Sequence, residues 1–191
     1  LYTWLGWEPP KFAHMPLLRN PDKSKISKRK NPNARLTWFV EQGYLPEAIV
    51  NFLALLAYPP ARDADGNDVE KFTFAEFSRD FDWKKVNPIG PIFDLKKLDW
   101  LNGVYIRDLD LGDFTSRLLP YLEREGVLSG NPSLGELGRL KDIAALIQTR
   151  IGLLSEAVPL VRPFFVADDM LEIQDDARAD LGPDAARVLD A

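Results

Sequence analysis

Apolar residues recur in threes and fours along most of this chain, a spacing that predicts one helix after another. A short helical pattern runs from Leu36 to Gly43 and stops at the glycine, a common helix terminator. Pro46 then occupies the first turn of the next predicted helix, with Glu47 well placed at its positive end. Ile49, Phe52, Leu53 and Leu56 form its apolar stripe, and Pro59-Pro60 ends it. The polar stretch Ala61 to Glu70, with its Asp65-Gly66 turn pair, reads as an exposed loop. Thr73 and Glu76 match a capping box, flanked by Phe72 and Phe77 as a hydrophobic staple, and predict a helix to about Asp80.

Asn87-Pro88-Ile89-Gly90-Pro91 is predicted to be non-helical, since two prolines and a glycine interrupt the backbone ladder. Asp94 caps the next helix, whose stripe is Leu95, Leu98, Leu101 and Tyr105. Asp110 opens another, with Leu111, Phe114, Leu118 and Leu122 inward and Gly126 closing it. Ser133 and Glu136 form a second capping box, followed by Leu137, Leu140, Ala144, Ile147 and Ile151 at helical spacing. Pro159 and Pro163 are expected to break the pattern before Phe164-Phe165. The tail from Asp168 holds 8 acidic and 2 basic residues and suits one more short helix. No alternating strand of useful length and no internal repeat is visible, so the expected class is mainly α.

Composition narrows the chemistry. The 191 residues are 46% hydrophobic and 11% aromatic, enough for a packed core. Without cysteine there can be no disulfide, thiolate zinc site or cysteine nucleophile. One histidine, His14, forbids any motif that needs two and reads as a local packing or hydrogen-bonding residue. The longest apolar run, Phe52 to Tyr58, is far short of the roughly 20 residues of a membrane-spanning helix. The Leu1-Tyr2-Thr3-Trp4 start has neither signal-peptide features nor a methionine. It reads as a cut, and the expectation is a soluble, cytoplasmic protein.

Charge is uneven. Residues 1–35 carry 8 basic and 2 acidic residues, a local net of +6, whereas the rest carries 16 basic and 27 acidic, giving −5 overall. A basic head on an acidic body suits an anion at the head and argues against general polyanion binding elsewhere. The head centres on residues 17–30, where proline, serine and clustered lysines suggest a loop. A solvated basic linker, or a localisation or heparin-type patch, would share that composition. The order of residues favours a shaped anion site instead. Lysines flank a small hydroxyl residue and Ile26 can anchor the loop, so that ammonium groups can be aimed at phosphates.

KISKR at residues 25–29 resembles the KMSKS signature of class I aminoacyl-tRNA synthetases, and its surroundings, HMPLLRNPDKSKISKRK, are similar to those of the bacterial glutamyl type. The likeness continues through EQGYLPEAIVNFLALL and NPIGPIFDLKKLDWLNGVYIRDL and weakens after about Ser133. It implies a ligase that joins glutamate to tRNA-Glu through a glutamyl-adenylate, using ATP and Mg2+, without a metal bound by this chain, as a monomer with no membrane partner. Lys28 would contact ATP, with Lys25, Ile26, Ser27 and Arg29 completing the closing loop. A compact ammonium suits phosphate oxygens that gain charge during adenylyl transfer.

The resemblance also implies three parts: residues 1–35 as the end of the catalytic domain with the KMSKS-like loop, 36–109 as a helical stem-contact domain, and 110–191 as the first part of a helical anticodon-binding domain. No HIGH-type motif is present, so the expectation is an internal or C-terminal fragment that lacks the HIGH-containing half and its glutamate site, inactive alone. Three residues carry over as tRNA contacts. Arg150 matches an arginine that faces the last anticodon base, Lys97 suits a phosphate, and Trp100 lies in the same block, although its size favours a core position. Two other readings remain: a non-catalytic tRNA-binding module derived from a synthetase, and a helical protein-interaction domain.

Overall fold

Helix starts in this chain are set by side chains that satisfy otherwise orphaned amides. A computed structural model, which describes residues 1–27, 29, 31 and 34–166, shows the eight α-helices and two short strands discussed below. The helices are α1 (Tyr2–Leu5), α2 (Leu36–Gln42), α3 (Pro46–Ala57), α4 (Phe74–Arg79), α5 (Leu95–Asp108), α6 (Leu111–Arg124), α7 (Leu134–Ile147) and α8 (Ala157–Val161). The strands are β1 (Ala61–Arg62) and β2 (Asp68–Val69). The mainly α class holds among the described residues, and none of these helices is long and apolar enough to cross a membrane. The expected tail helix beyond Asp168 lies outside the described residues.

Both predicted capping boxes are present. At α4, Thr73 Oγ1 accepts from the Glu76 amide at 3.2 Å while the Glu76 carboxylate accepts from the Thr73 amide at 2.7 Å. At α7, Ser133 and Glu136 repeat the arrangement at 3.2 and 2.8 Å. The Thr73 and Ser133 amides hold the Glu76 and Glu136 carboxyls below the usual carboxylate range. Asp94 and Asp110 cap α5 and α6 through the amides of Lys96 and Gly112. The staple residues Phe72 and Phe77 stack with ring centroids 5.6 Å apart.

Two apolar clusters hold the helices together. One gathers Leu45 and Ala48 of the α3 start with Ile106, Phe114, Leu118, Leu122, Leu140, Ala144 and Val161. The other sets Phe39, Tyr44 and Phe52 against Leu98 and Leu101, with Phe93 packed alongside. Two buried asparagines pin the clusters. Asn102 on α5 accepts from the Leu45 amide at 2.8 Å and donates to the Gly152 carbonyl at 2.6 Å. Asn51 on α3 donates to Glu70 O at 2.9 Å and accepts from the Phe72 amide at 3.1 Å. The α2–α3 turn docks on residues 154–155 through Gly43. Its φ is +89°, and a Cβ there would lie 2.6 Å from the Ser155 nitrogen, so only glycine fits.

Several expectations need correction. Residues 61–70 form an antiparallel hairpin, with Ala61 opposite Val69 and Arg62 opposite Asp68. Asp63 closes it by accepting from the amides of Asp65 and Asn67, and two-residue strands are too short to show alternation. The α7 helix ends at Ile147, short of Ile151. There the Gln148 side chain turns to donate to the carbonyls of Ile106 and Leu109, although Ile151 stays buried. Pro159 lies inside α8, where its missing N–H falls in the first turn and costs no helix bond. Pro120 also stands within α6, on a helix held by fully buried Phe114, Leu118 and Leu122. Leu53, expected inward, is instead exposed; with Val50, Met15, Phe74 and Trp83 it lines an apolar groove along α3 and α4.

Asn102→Ala would leave the Leu45 amide and the Gly152 carbonyl without partners in a dry site. We expect a loss of about 2–3 kcal/mol of stability, seen as a lower urea midpoint with an unchanged denaturant slope.

Candidate functional site

The basic segment is built on a backbone splice. Arg19 lies between two chain segments, forming bridges with Lys25 on one side and Ile92 on the other. Its amide donates to Pro91 O at 3.0 Å and its carbonyl accepts from the Phe93 amide at 2.8 Å. On the loop side the Asn20 amide donates to Ser24 O at 2.8 Å, and the Ile26 amide lies 3.5 Å from Leu18 O. The splice reaches the core through Phe93, which meets Phe52 edge-on at 5.2 Å and Phe39 at 6.1 Å. Gly90 permits the close approach: a Cβ there would lie 2.7 Å from the Leu17 carbonyl oxygen.

A tight turn follows Asn20. Lys23 adopts a left-handed conformation at φ +66°, its amide donating to Asn20 O at 2.8 Å. Hydrogen bonds from the Ser24 hydroxyl and amide hold the Asp22 carboxyl below its ordinary range. Farther along, Asn31 closes on Ser27: its amide donates to Ser27 O at 2.9 Å and its Oδ1 accepts from the Ser27 amide at 3.1 Å. Asn31 Nδ2 then donates to Asn20 Oδ1 at 3.0 Å, and Asn20 Nδ2 donates to Ser24 Oγ at 3.0 Å. Asn20, Asp22, Ser24, Lys25, Ser27 and Asn31 line an open polar cleft.

Of the residues singled out from sequence, Lys25 and Arg29 are exposed, and Ile26 and Ser27 are half-buried. Lys28 lies outside the described residues. Lys97 sits elsewhere, on α5, with its ammonium 2.5 Å from the Glu70 carboxylate. Trp100, favoured as a core residue, is 51% exposed, because Leu98, Leu101 and Asn102 occupy the buried face of α5. Arg150 is exposed just past α7, where its amide donates to Ile147 O. Neither it nor exposed His14 joins the cleft.

Sequence reasoning missed Arg19, Asn20 and Asn31. Asn20 and Asn31 stand eleven positions apart, and no periodicity or turn rule links such a pair. Among the described residues no group of three or more His, Cys, Asp or Glu side chains could hold a metal ion. The cleft offers amides, hydroxyls and the Lys25 ammonium, together with the Asp22 carboxylate.

Comparison with known proteins identifies the family. Residues 1–100 match the family described as tRNA synthetases class I (E and Q), catalytic domain. The matched part is of catalytic-domain kind, so a C-terminal fragment is not what it resembles. The chain is 53% identical over 192 residues to a glutamate–tRNA ligase of Acidothermus cellulolyticus, covering 100% of this chain and 37% of that protein. It is 51% identical over 185 residues to the Cutibacterium acnes glutamate–tRNA ligase, covering 95% of this chain and 36% of the relative. The chain thus spans little more than a third of these relatives. Among solved structures, the crystal structure of a glutamate tRNA ligase from Elizabethkingia meningosepticum in complex with its amino acid matches with TM-score 0.73. At 24% identity over 99% of this chain and 39% of that one, it shows a shared fold.

Gly90→Val should push the 17–19 segment off its support. We expect faster hydrogen exchange at the Arg19 and Phe93 amides, with the Leu45 amide, held by Asn102, keeping its protection.

Proposed function

The chain belongs to the class I tRNA synthetases of the glutamate and glutamine type, and from that premise we propose that it contributes the ATP-closing loop and part of the tRNA-binding surface of a glutamate–tRNA ligase. The observation that carries the proposal is the polar cleft lined by Asn20, Ser24, Lys25, Ser27 and Asn31, within the residues matching the family's catalytic domain. The names of the relatives point to glutamate and tRNA as substrates, and membership of the synthetase family implies ATP as the source of energy for the bond.

In the proposed first step a glutamate carboxylate oxygen attacks the α-phosphorus of ATP. The bond to the β-phosphate oxygen breaks and pyrophosphate leaves with the electron pair. Negative charge then moves onto phosphate oxygens, and cations already in place stabilise it without reorganising at the moment of reaction. Lys28 is proposed as the cation that touches them, with Lys25 and Arg29 adding to the local potential. Ile26 anchors the loop and Ser27 holds its turn. Mg2+ would arrive with the ATP phosphates, since the described residues offer no cluster to hold it and no step here is assigned to it.

Lys97, Trp100 and Arg150 are proposed as tRNA contacts of different kinds. Lys97 would have to exchange its Glu70 partner for a phosphate. Exposed Trp100 offers a flat apolar face, and exposed Arg150 offers a fork that can read a base edge. The three-part division at residues 35 and 109 stays part of this reading. So does the expectation that the 191-residue chain is inactive alone. A non-catalytic tRNA-binding module is the competing view, and it gives no role to an ATP-closing loop.

In the full-length ligase bearing this sequence, Lys28→Ala should slow glutamate-dependent ATP–pyrophosphate exchange about 100-fold. Unchanged exchange with weakened tRNA binding would make the loop an RNA contact. Arg150→Gln should cost roughly 1–3 kcal/mol of discrimination between tRNA-Glu and a variant altered only at the third anticodon base. Comparing charging efficiencies on the two tRNAs measures it, and equal losses on both would place Arg150 on the backbone or in the fold.

A further inference from the structure

The basic loop is tied at its base by two side-chain amides whose orientation is fixed by what surrounds them. The Ser27 amide can only donate, so the Asn31 atom 3.1 Å from it must be the carbonyl oxygen. Asn31 therefore turns its NH2 toward Asn20, which must answer with its own oxygen, at 3.0 Å. That leaves the Asn20 NH2 facing Ser24 Oγ, also at 3.0 Å. Each amide thus uses both of its ends. Asn20 also reads the backbone of the turn, donating from its amide to Ser24 O and accepting on its carbonyl from the Lys23 amide. The Asn20 backbone follows directly on Arg19, which is spliced to Pro91 and Phe93. The two asparagines consequently connect the far end of the loop, at Ser27 and Asn31, to the rigid part of the molecule.

We propose that the Asn20–Asn31 amide pair is the positioning element of the basic segment, tying Ser27 at the cleft back to the Arg19 splice so that the segment's cations are carried toward the phosphates of ATP. The pair touches neither ATP nor glutamate; it acts through the loop. This inference rests on the ATP-closing reading above. Its energetic logic is preorganisation: a loop whose base is already tied has less to order when it closes on ATP. Because the two side chains form one link, breaking it at either end has the same consequence, and breaking it at both ends adds little.

The test is a double-mutant cycle in the full-length ligase, with Asn20→Ala, Asn31→Ala and the double variant compared by ATP–pyrophosphate exchange. Each single variant should lower the turnover number for exchange about tenfold, with KM for glutamate unchanged and the unfolding midpoint little altered. The double variant should fall close to the worse single one and not to the product of the two, about a hundredfold. Hydrogen exchange at the Ser27 amide should quicken in the Asn31→Ala protein. Multiplicative losses, turnover unchanged in the singles, or a glutamate KM that worsens alongside turnover would each overturn the positioning role. Lys28→Ala in the same assay separates the two proposals. If that variant is fully active the ATP-closing reading falls, whereas if it is slow and the asparagine singles are normal only the positioning role falls.

Discussion

Phe93 is the point on which the site depends. Its ring is packed against Phe39 and Phe52 in the second apolar cluster, and its amide, one residue before the cap of α5, donates to the Arg19 carbonyl. A hydrophobic contact therefore becomes a backbone position, and the backbone position becomes the base of the basic loop. Gly90 keeps the spacing, since a side chain there would collide with the Leu17 carbonyl. Chemistry on a loop needs a scaffold that does not move with it, and here aromatic burial supplies the scaffold.

Polar groups inside the body perform a similar service. Asn51 and Asn102 are nearly inaccessible, and each satisfies backbone groups from distant stretches of chain. No buried side-chain nitrogen or oxygen among the described residues lacks a partner. Such groups add modest stability when paired and a large penalty when not, so they select one arrangement of helices over near alternatives. Across the surface, Arg117 forks onto Glu47 of α3 while also bonding Asp113 one turn earlier on its own helix. Burial alone would raise the Glu47 carboxyl, but the guanidinium outweighs it and holds the group below its ordinary range.

Local rules made much of this fold legible in advance. The caps at Thr73, Asp94, Asp110 and Ser133, the glycine stop at Gly43 and the non-helical Asn87–Pro91 stretch depend on neighbours within four residues, and each stands as read. What escaped was decided at longer range. The hairpin at 61–69 relies on Asp63 gathering amides, and its strands are too short for a pattern. The exposure of Trp100 follows from which face of α5 meets α3, which the ring's size does not reveal. Leu53 obeys helical spacing yet faces the groove, because Ala48, Asn51 and Phe52 already fill the buried side. In the cleft, Lys25 was visible as part of a run of charge, whereas Asn20 and Asn31, joined side chain to side chain beside it, are common residues eleven positions apart.

The apolar groove along α3 and α4 has a practical consequence. Val50, Leu53, Phe74 and Trp83 present side chains to water along one continuous trough. An environment-sensitive dye that brightens on leaving water would find lodging on the native chain before any unfolding begins. A melting curve followed by such a dye would start from a bright baseline, and its rise would understate the transition. Circular dichroism, which reports the helices themselves, gives the cleaner thermometer for this molecule.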